Sequence, residues 1–187
     1  MQNKLERLAT KGIEKTTNII TTTNNTLELN TFMKTEDVNY KISSKFNDLY
    51  LFEGMKGVAQ FIFDHILRDE NGFLLYGCSD YSRKKFEYRD TNGNTVVDIE
   101  GKKLIKIIQP GLIDQTNKMI YFFADEYNMI SCNIRDSDED EDDNQNLTMS
   151  QKNLRLFRKN TAIQVGMDIA TMHESNSFIK ALCKIIK

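Results

Sequence analysis

The rhythm of hydrophobic and polar positions changes several times along this chain, and those changes divide it. Up to about residue 34 apolar residues are sparse, yet Ile13, Ile20 and Leu27 recur at a seven-residue interval, with Thr16 and Thr23 three residues after the first two. A seven-residue apolar repeat is what a helix in a thin parallel coiled coil shows. Gly12 interrupts the repeat, and the run Thr21-Thr22-Thr23-Asn24-Asn25-Thr26 has poor helix propensity. Residues 1–34 therefore read either as a flexible linker or as an oligomerising helical arm that would use Ile13, Ile20 and Leu27.

From Thr35 the pattern thickens. Thr35-Glu36-Asp37-Val38 reads as the entry to a helix or strand, and Phe46, Leu49, Leu51 and Phe52 form the first dense apolar cluster. Gly54 and Gly57 flank a start, after which Val58, Phe61, Ile62 and Ile66 follow helical spacing until Glu70-Asn71-Gly72 supplies a stop. This predicts an amphipathic helix at about 56–69. The apolar run Phe73–Cys78 predicts a buried strand, followed by a turn at Ser79 to Ser82. Next, Lys85, Glu87 and Arg89 alternate with Phe86 and Tyr88, which puts charges on one face of a strand and aromatics on the other. The turn signal Asp90-Thr91-Asn92-Gly93-Asn94 and the return strand Thr95–Ile99 complete a small antiparallel meander.

After Gly101, Leu104, Ile105, Ile107 and Ile108 open a helix that Pro110-Gly111 is expected to break, so residues 103–130 read as two helices joined at Pro110. Residues Asp136 to Asp143 hold seven acidic side chains in eight positions. A like-charged block with no apolar residue cannot pack and is expected to be a mobile loop. Thr148 or Ser150 can then cap a final helical region carrying Leu154, Phe157, Val165, Ile169, Phe178 and Leu182. The expected fold is α+β: a small antiparallel β-meander packed against helices, with an N-terminal helical or coiled-coil arm and C-terminal helices. The expected units are the arm (1–34), an α+β domain (35–135), an acidic disordered loop (136–147) and a C-terminal helical region (148–187).

Composition narrows the function classes. A net charge of -2 over 187 residues gives no global positive field for nucleic acid, so any such contact needs a local basic face. Cys78, Cys132 and Cys183 are odd in number, far apart in sequence and without a C-x-x-C pair, so neither a disulfide framework nor a zinc knuckle is expected. Met1 to Lys15 lacks an apolar signal region, and no apolar run approaches the roughly 18 residues of a membrane helix, which predicts an intracellular protein with no membrane partner.

Catalytic chemistry finds little support. His65 and His173 are the only histidines and both fall in helical patterns, where structural or surface roles prevail. Gly54-Met55-Lys56-Gly57 matches neither a phosphate-binding loop nor a dinucleotide fingerprint, and the acidic run lacks the glycine and spaced glutamate of a calcium-binding loop. No catalytic residue, metal ligand or cofactor is predicted, although Asp80, Asp90 and Asp98 would suit a metal-dependent hydrolase or nuclease if they converged. The segment Asp80 to Asp90 stands out because it packs four cations and three aromatics into eleven residues. Cations interleaved with aromatics on a strand can hold phosphates and stack bases, with Arg83, Lys84, Lys85, Phe86, Tyr88 and Arg89 as the candidate contacts. The competing reading makes Phe86 and Tyr88 core residues, Lys85 and Arg89 a solvated strand face, and Asp80 with Arg83 a turn-locking ion pair.

The order of pieces from Leu51 to Leu112 resembles an uncharacterised domain found in proteins of large DNA viruses of protists. The residues that carry the resemblance are Gly54, Gly57, Ala59 and Phe61; then Cys78; then Asp80, Ser82 and Arg83; then Phe86, Tyr88, Asp90, Gly93, Asp98, Lys103 and Leu104. It implies a viral module made in the host cytoplasm or carried in the virion, and brings no activity with it. The expected function is a non-enzymatic structural or protein-interaction module, binding itself or another protein and oligomerising through the arm. The alternative is nucleic-acid binding through strand 83–89.

Overall fold

The computed structural model describes residues 29–133 and 149–186. In chain order these form α1 (Thr35–Lys45), α2 (Asp48–Phe52), α3 (Gly54–His65), β1 (Tyr76–Asp80), β2 (Lys85–Arg89), β3 (Thr95–Ile99), α4 (Lys102–Asn133), α5 (Met149–Ala170) and α6 (Ser177–Ile185). The fold is α+β, with one three-stranded sheet in the order β1-β2-β3 and helices packed on it. Ile13, Ile20, Leu27 and the acidic run 136–143 lie outside the described residues.

Local chemistry explains the element boundaries. Glu36 and Asp37 in the first turn and Lys45 in the last complement the dipole of α1. The Asn47 side chain caps α2 by accepting from the Leu49 amide at 3.1 Å. α3 can lie close to α2 because position 57 is glycine: a Cβ there would collide with the Tyr50 carbonyl oxygen. α3 is the centre of the core, with Val58, Ala59, Phe61 and Ile62 all fully buried. Around it pack Ile42 and Phe46, Leu104, Ile108 and Leu112 of α4, Ile169 of α5, and Phe178 and Leu182 of α6.

The meander is antiparallel throughout, pairing Tyr76 with Tyr88, Cys78 with Phe86 and Phe86 with Asp98. Period-two alternation therefore places Tyr76, Cys78, Phe86, Tyr88 and Asp98 on one face, which lies against the helices. Asp98 is the joint between sheet and helices. Its buried carboxylate accepts from the Tyr76 hydroxyl at 2.7 Å and from the Lys103 and Leu104 amides at 3.0 and 2.9 Å. It thereby satisfies orphan donors in the first turn of α4.

Several expectations are corrected. Pro110 does not divide the helix after Gly101: α4 is one helix of 32 residues with the proline inside it. An interior proline costs on the order of 3 kcal/mol. Here the neighbouring turns are held on both sides, by buried Ile108 and Leu112 and by α1, whose Asn39 and Ile42 press against Gly111. The helix expected at 56–69 occupies Gly54–His65, and Ile66 and Leu67 stay buried beyond its end. The strand expected at 73–78 runs instead from Tyr76 to Asp80, while Phe73 is 59% exposed and Leu74 bridges to Arg68. Ser79 is thus in the strand rather than the turn.

The compact unit also begins earlier than Thr35. Leu29 and Phe32 are buried, Thr31 makes a parallel bridge to Arg89, and the Phe32 ring packs on Tyr76 and Tyr88. Nor is 148–187 a separate region. Thr171–Asn176 separates α5 from α6, and both helices supply residues to the common core.

Candidate functional site

The structure divides the basic and aromatic residues of 83–89. Phe86 is fully buried, stacked against Tyr76 with ring centroids 5.3 Å apart, so it has no face to offer a base. Tyr88 is partly buried between Phe32 and Tyr76. The aromatic half of the proposed nucleic-acid platform is therefore core, for the reason alternation gives: the strand turns that face inward.

The cations are largely engaged. Lys85 pairs with Glu87 at 2.8 Å, which holds the Glu87 carboxyl below its ordinary range. Lys84, at φ 49°, donates to the Asn176 side chain at 2.8 Å and so links the β1–β2 turn to the start of α6. Arg83 projects into solvent with its side chain 84% exposed and touches Asp80 only at 3.8 Å. Arg89 is exposed at the far end of the strand, where its carbonyl accepts from the Phe32 amide. One exposed arginine at each end of a five-residue strand is a thin electrostatic footprint.

The three aspartates named as a potential metal set do different work. Asp80 accepts from the Ser82 hydroxyl and the Arg83 amide, which lowers its pKa and locks the β1–β2 turn. Asp90 accepts from the Asn94 and Asn92 amides and does the same for the β2–β3 turn. Asp98 is the buried joint already described. Among the described residues no three His, Cys, Asp or Glu side chains group in a way that could hold a metal ion. His65 is held by the Tyr50 hydroxyl at 3.1 Å and by the rings of Tyr50 and Phe61; burial, then Lys45, lowers its pKa. His173 is exposed beside Glu174.

A different surface emerges on the hairpin of α4 and α5. The two helices run antiparallel, since Gln109 donates to the Ile169 and Ala170 carbonyls at 2.9 Å each while Arg155 donates to the Glu126 carbonyl at 3.2 Å. Arg158 stitches the seam to α2: it pairs with Asp48 at 3.1 Å and lies 5.1 Å from the Phe123 ring centroid. Beside it opens a depression of about 330 Å³ with Phe46, Met119 and Phe122 in its wall and Asp48, Lys118 and Arg158 also lining it. That concavity combines apolar walls with the paired charges of Asp48 and Arg158.

The outer side of α5 carries Met149, Leu156, Ile163 and Ala170, all exposed and all seven residues apart, with Met167 beside them at 60% exposure. Ala162, Val165 and Ile169 occupy the opposite, buried side. Among the described residues, α5 is therefore apolar on two faces and packed on only one of them. The helical spacing of Leu154, Phe157, Val165 and Ile169 does not by itself separate the two faces, because both stripes sit on the same 3.6-residue period a few positions out of phase. The signal that could have separated them is the seven-residue interval itself. Among the described residues no helix is long and apolar enough to cross a membrane. No family model matches the chain, and no curated protein or solved structure matches it either.

Proposed function

We propose that the protein is a non-enzymatic interaction module that pairs with a second copy of itself through the outer stripe of α5. The observation that supports this reading is the exposed series Met149, Leu156, Ile163 and Ala170 at seven-residue spacing. A strict seven-residue apolar seam fits a second helix lying along it at a shallow angle. This seam is self-complementary. A two-fold axis between antiparallel α5 helices sets Leu156 against Ile163 and Met149 against Ala170, the isologous arrangement of a symmetric dimer. Asn153 and Asn160 lie beside the seam, and the cations Arg155, Arg158 and Lys159 are turned toward α4 and α2. Lys152, three residues after Met149 and four before Leu156, is the charge that such a pairing must keep at its solvent edge.

The test is light-scattering mass of the full chain and of two variants, Leu156→Glu with Ile163→Glu, and Ile13→Glu with Ile20→Glu. A native dimer that becomes monomeric only in the first variant supports the α5 interface. Dissociation only in the second moves the interface to the N-terminal arm, and a chain that is monomeric at all concentrations overturns self-association. Nucleic-acid binding through Arg83, Lys84, Lys85 and Arg89 is the second reading, favoured only by the exposure of Arg83 and Arg89; a mass unchanged by added single-stranded DNA at low salt rejects it.

A further inference from the structure

We propose that Cys78 and Cys183 form a peroxide-driven disulfide that fastens the C-terminal helix α6 to strand β1. Although about a hundred residues apart in sequence, the two side chains are neighbours, Cys78 in the core cluster and Cys183 packed against it. Neither is in a disulfide in this structure. The surrounding geometry brings α6 to the sheet independently of the sulfurs. Lys84 holds Asn176 before the helix starts, and the Tyr81 hydroxyl donates to the Ile186 carbonyl at 3.1 Å just after it ends. Tyr81 is three residues past Cys78 and Ile186 three past Cys183, so this bond brings the segments that carry the two thiols together.

The pair is asymmetric, which assigns the order of events. Cys78 is buried, and its thiol is pushed up to about 11 by burial and then by the neighbouring Cys183. Cys183 is only partly buried and is the sulfur that hydrogen peroxide can reach. In the first step the Cys183 thiolate attacks peroxide: an S–O bond forms, the O–O bond breaks, and hydroxide leaves and takes up a proton as water. In the second, the Cys78 sulfur attacks the Cys183 sulfenic acid; the S–S bond forms, the S–O bond breaks, and a second water carries away the oxygen and the Cys78 proton. Two thiols and one peroxide thus give one disulfide and two waters. Closing a loop of this length constrains the unfolded chain strongly, so the oxidised form should melt higher by on the order of 10 °C.

The experiment treats the full chain carrying Cys132→Ser with hydrogen peroxide, followed by intact mass, digestion without reductant, and thermal melting. The expected result is loss of two hydrogens, a peptide joining Cys78 to Cys183 within one chain, and a raised Tm that dithiothreitol reverses. Cys78→Ser should leave a sulfenic acid on Cys183 that dimedone traps, and Cys183→Ser should leave Cys78 unreacted. Separate oxygen gains on the two cysteines, a link between two chains, or thiols that stay reduced would each overturn the proposal.

Discussion

The sheet side of the molecule and the α4–α5 hairpin use similar residues to opposite ends. Around the meander, aromatic rings face inward and are locked by polar joints: Tyr76 and Phe86 are buried, and Asp98 ties the Tyr76 hydroxyl to the first turn of α4. On the hairpin, Tyr121, Phe122, Met129, Leu154, Phe157 and Met167 are each more than half exposed. Monomeric proteins seldom leave so much apolar surface on one pair of helices, whereas interaction surfaces do. One region turns its aromatic rings into the core; the other leaves apolar side chains in solvent.

Substitutions can sharpen that contrast. The largest effect is expected from Phe61→Ala, which opens a cavity in the fully buried centre of α3 and should cost about 4 kcal/mol in denaturant unfolding. A loss below about 1 kcal/mol would mean that the core is not organised around α3. Next comes Asp98→Ala. It strands the Tyr76 hydroxyl and two helix amides, and should cost about 3 kcal/mol and lower the Tm by roughly 10 °C. By contrast, Phe157→Ala removes the same ring type as the first variant from a site that is 60% exposed, and should change the stability of the monomeric chain by no more than about 0.5 kcal/mol. A cost comparable to Phe61→Ala would erase the distinction between the two regions.

The smallest effect is pH-dependent. Burial, followed by Lys45, lowers the pKa of His65 in the folded chain, so the unfolded chain binds the proton more readily. Stability should be fully present above the ordinary histidine value of about 6.5 and decline as pH falls below it. Urea midpoints between neutral and mildly acidic pH should show that slope, and His65→Gln should flatten it.

The meander was the part of the fold most legible in the sequence, because strict alternation at Lys85–Arg89 and an Asp-to-Gly turn leave few alternatives for the chain. The competing assignment of Phe86 to the core was legible for the same reason. Pro110 misled because its local cost is real but is outweighed by packing from α1, a tertiary effect that no window of sequence displays. Phe32 was hidden in a polar, threonine-rich stretch, and only its amide bond to Arg89 and its ring contact with Tyr76 reveal it as core. The Cys78–Cys183 contact depends on how distant segments come together, which composition and period do not encode.

Mechanically, α4 is a lever with a soft spot. At about 1.5 Å per residue its 32 residues span roughly 48 Å. Its base is clamped by Asp98, and its far half carries the exposed Tyr121, Phe122 and Met129. Pro110 removes one rung of the hydrogen-bond ladder near the base, leaving the Lys106 carbonyl without its helical donor. A load applied to the hairpin would therefore be carried past Pro110 by the packing of α1 and the Gln109 bonds to α5 rather than by the helix's own ladder.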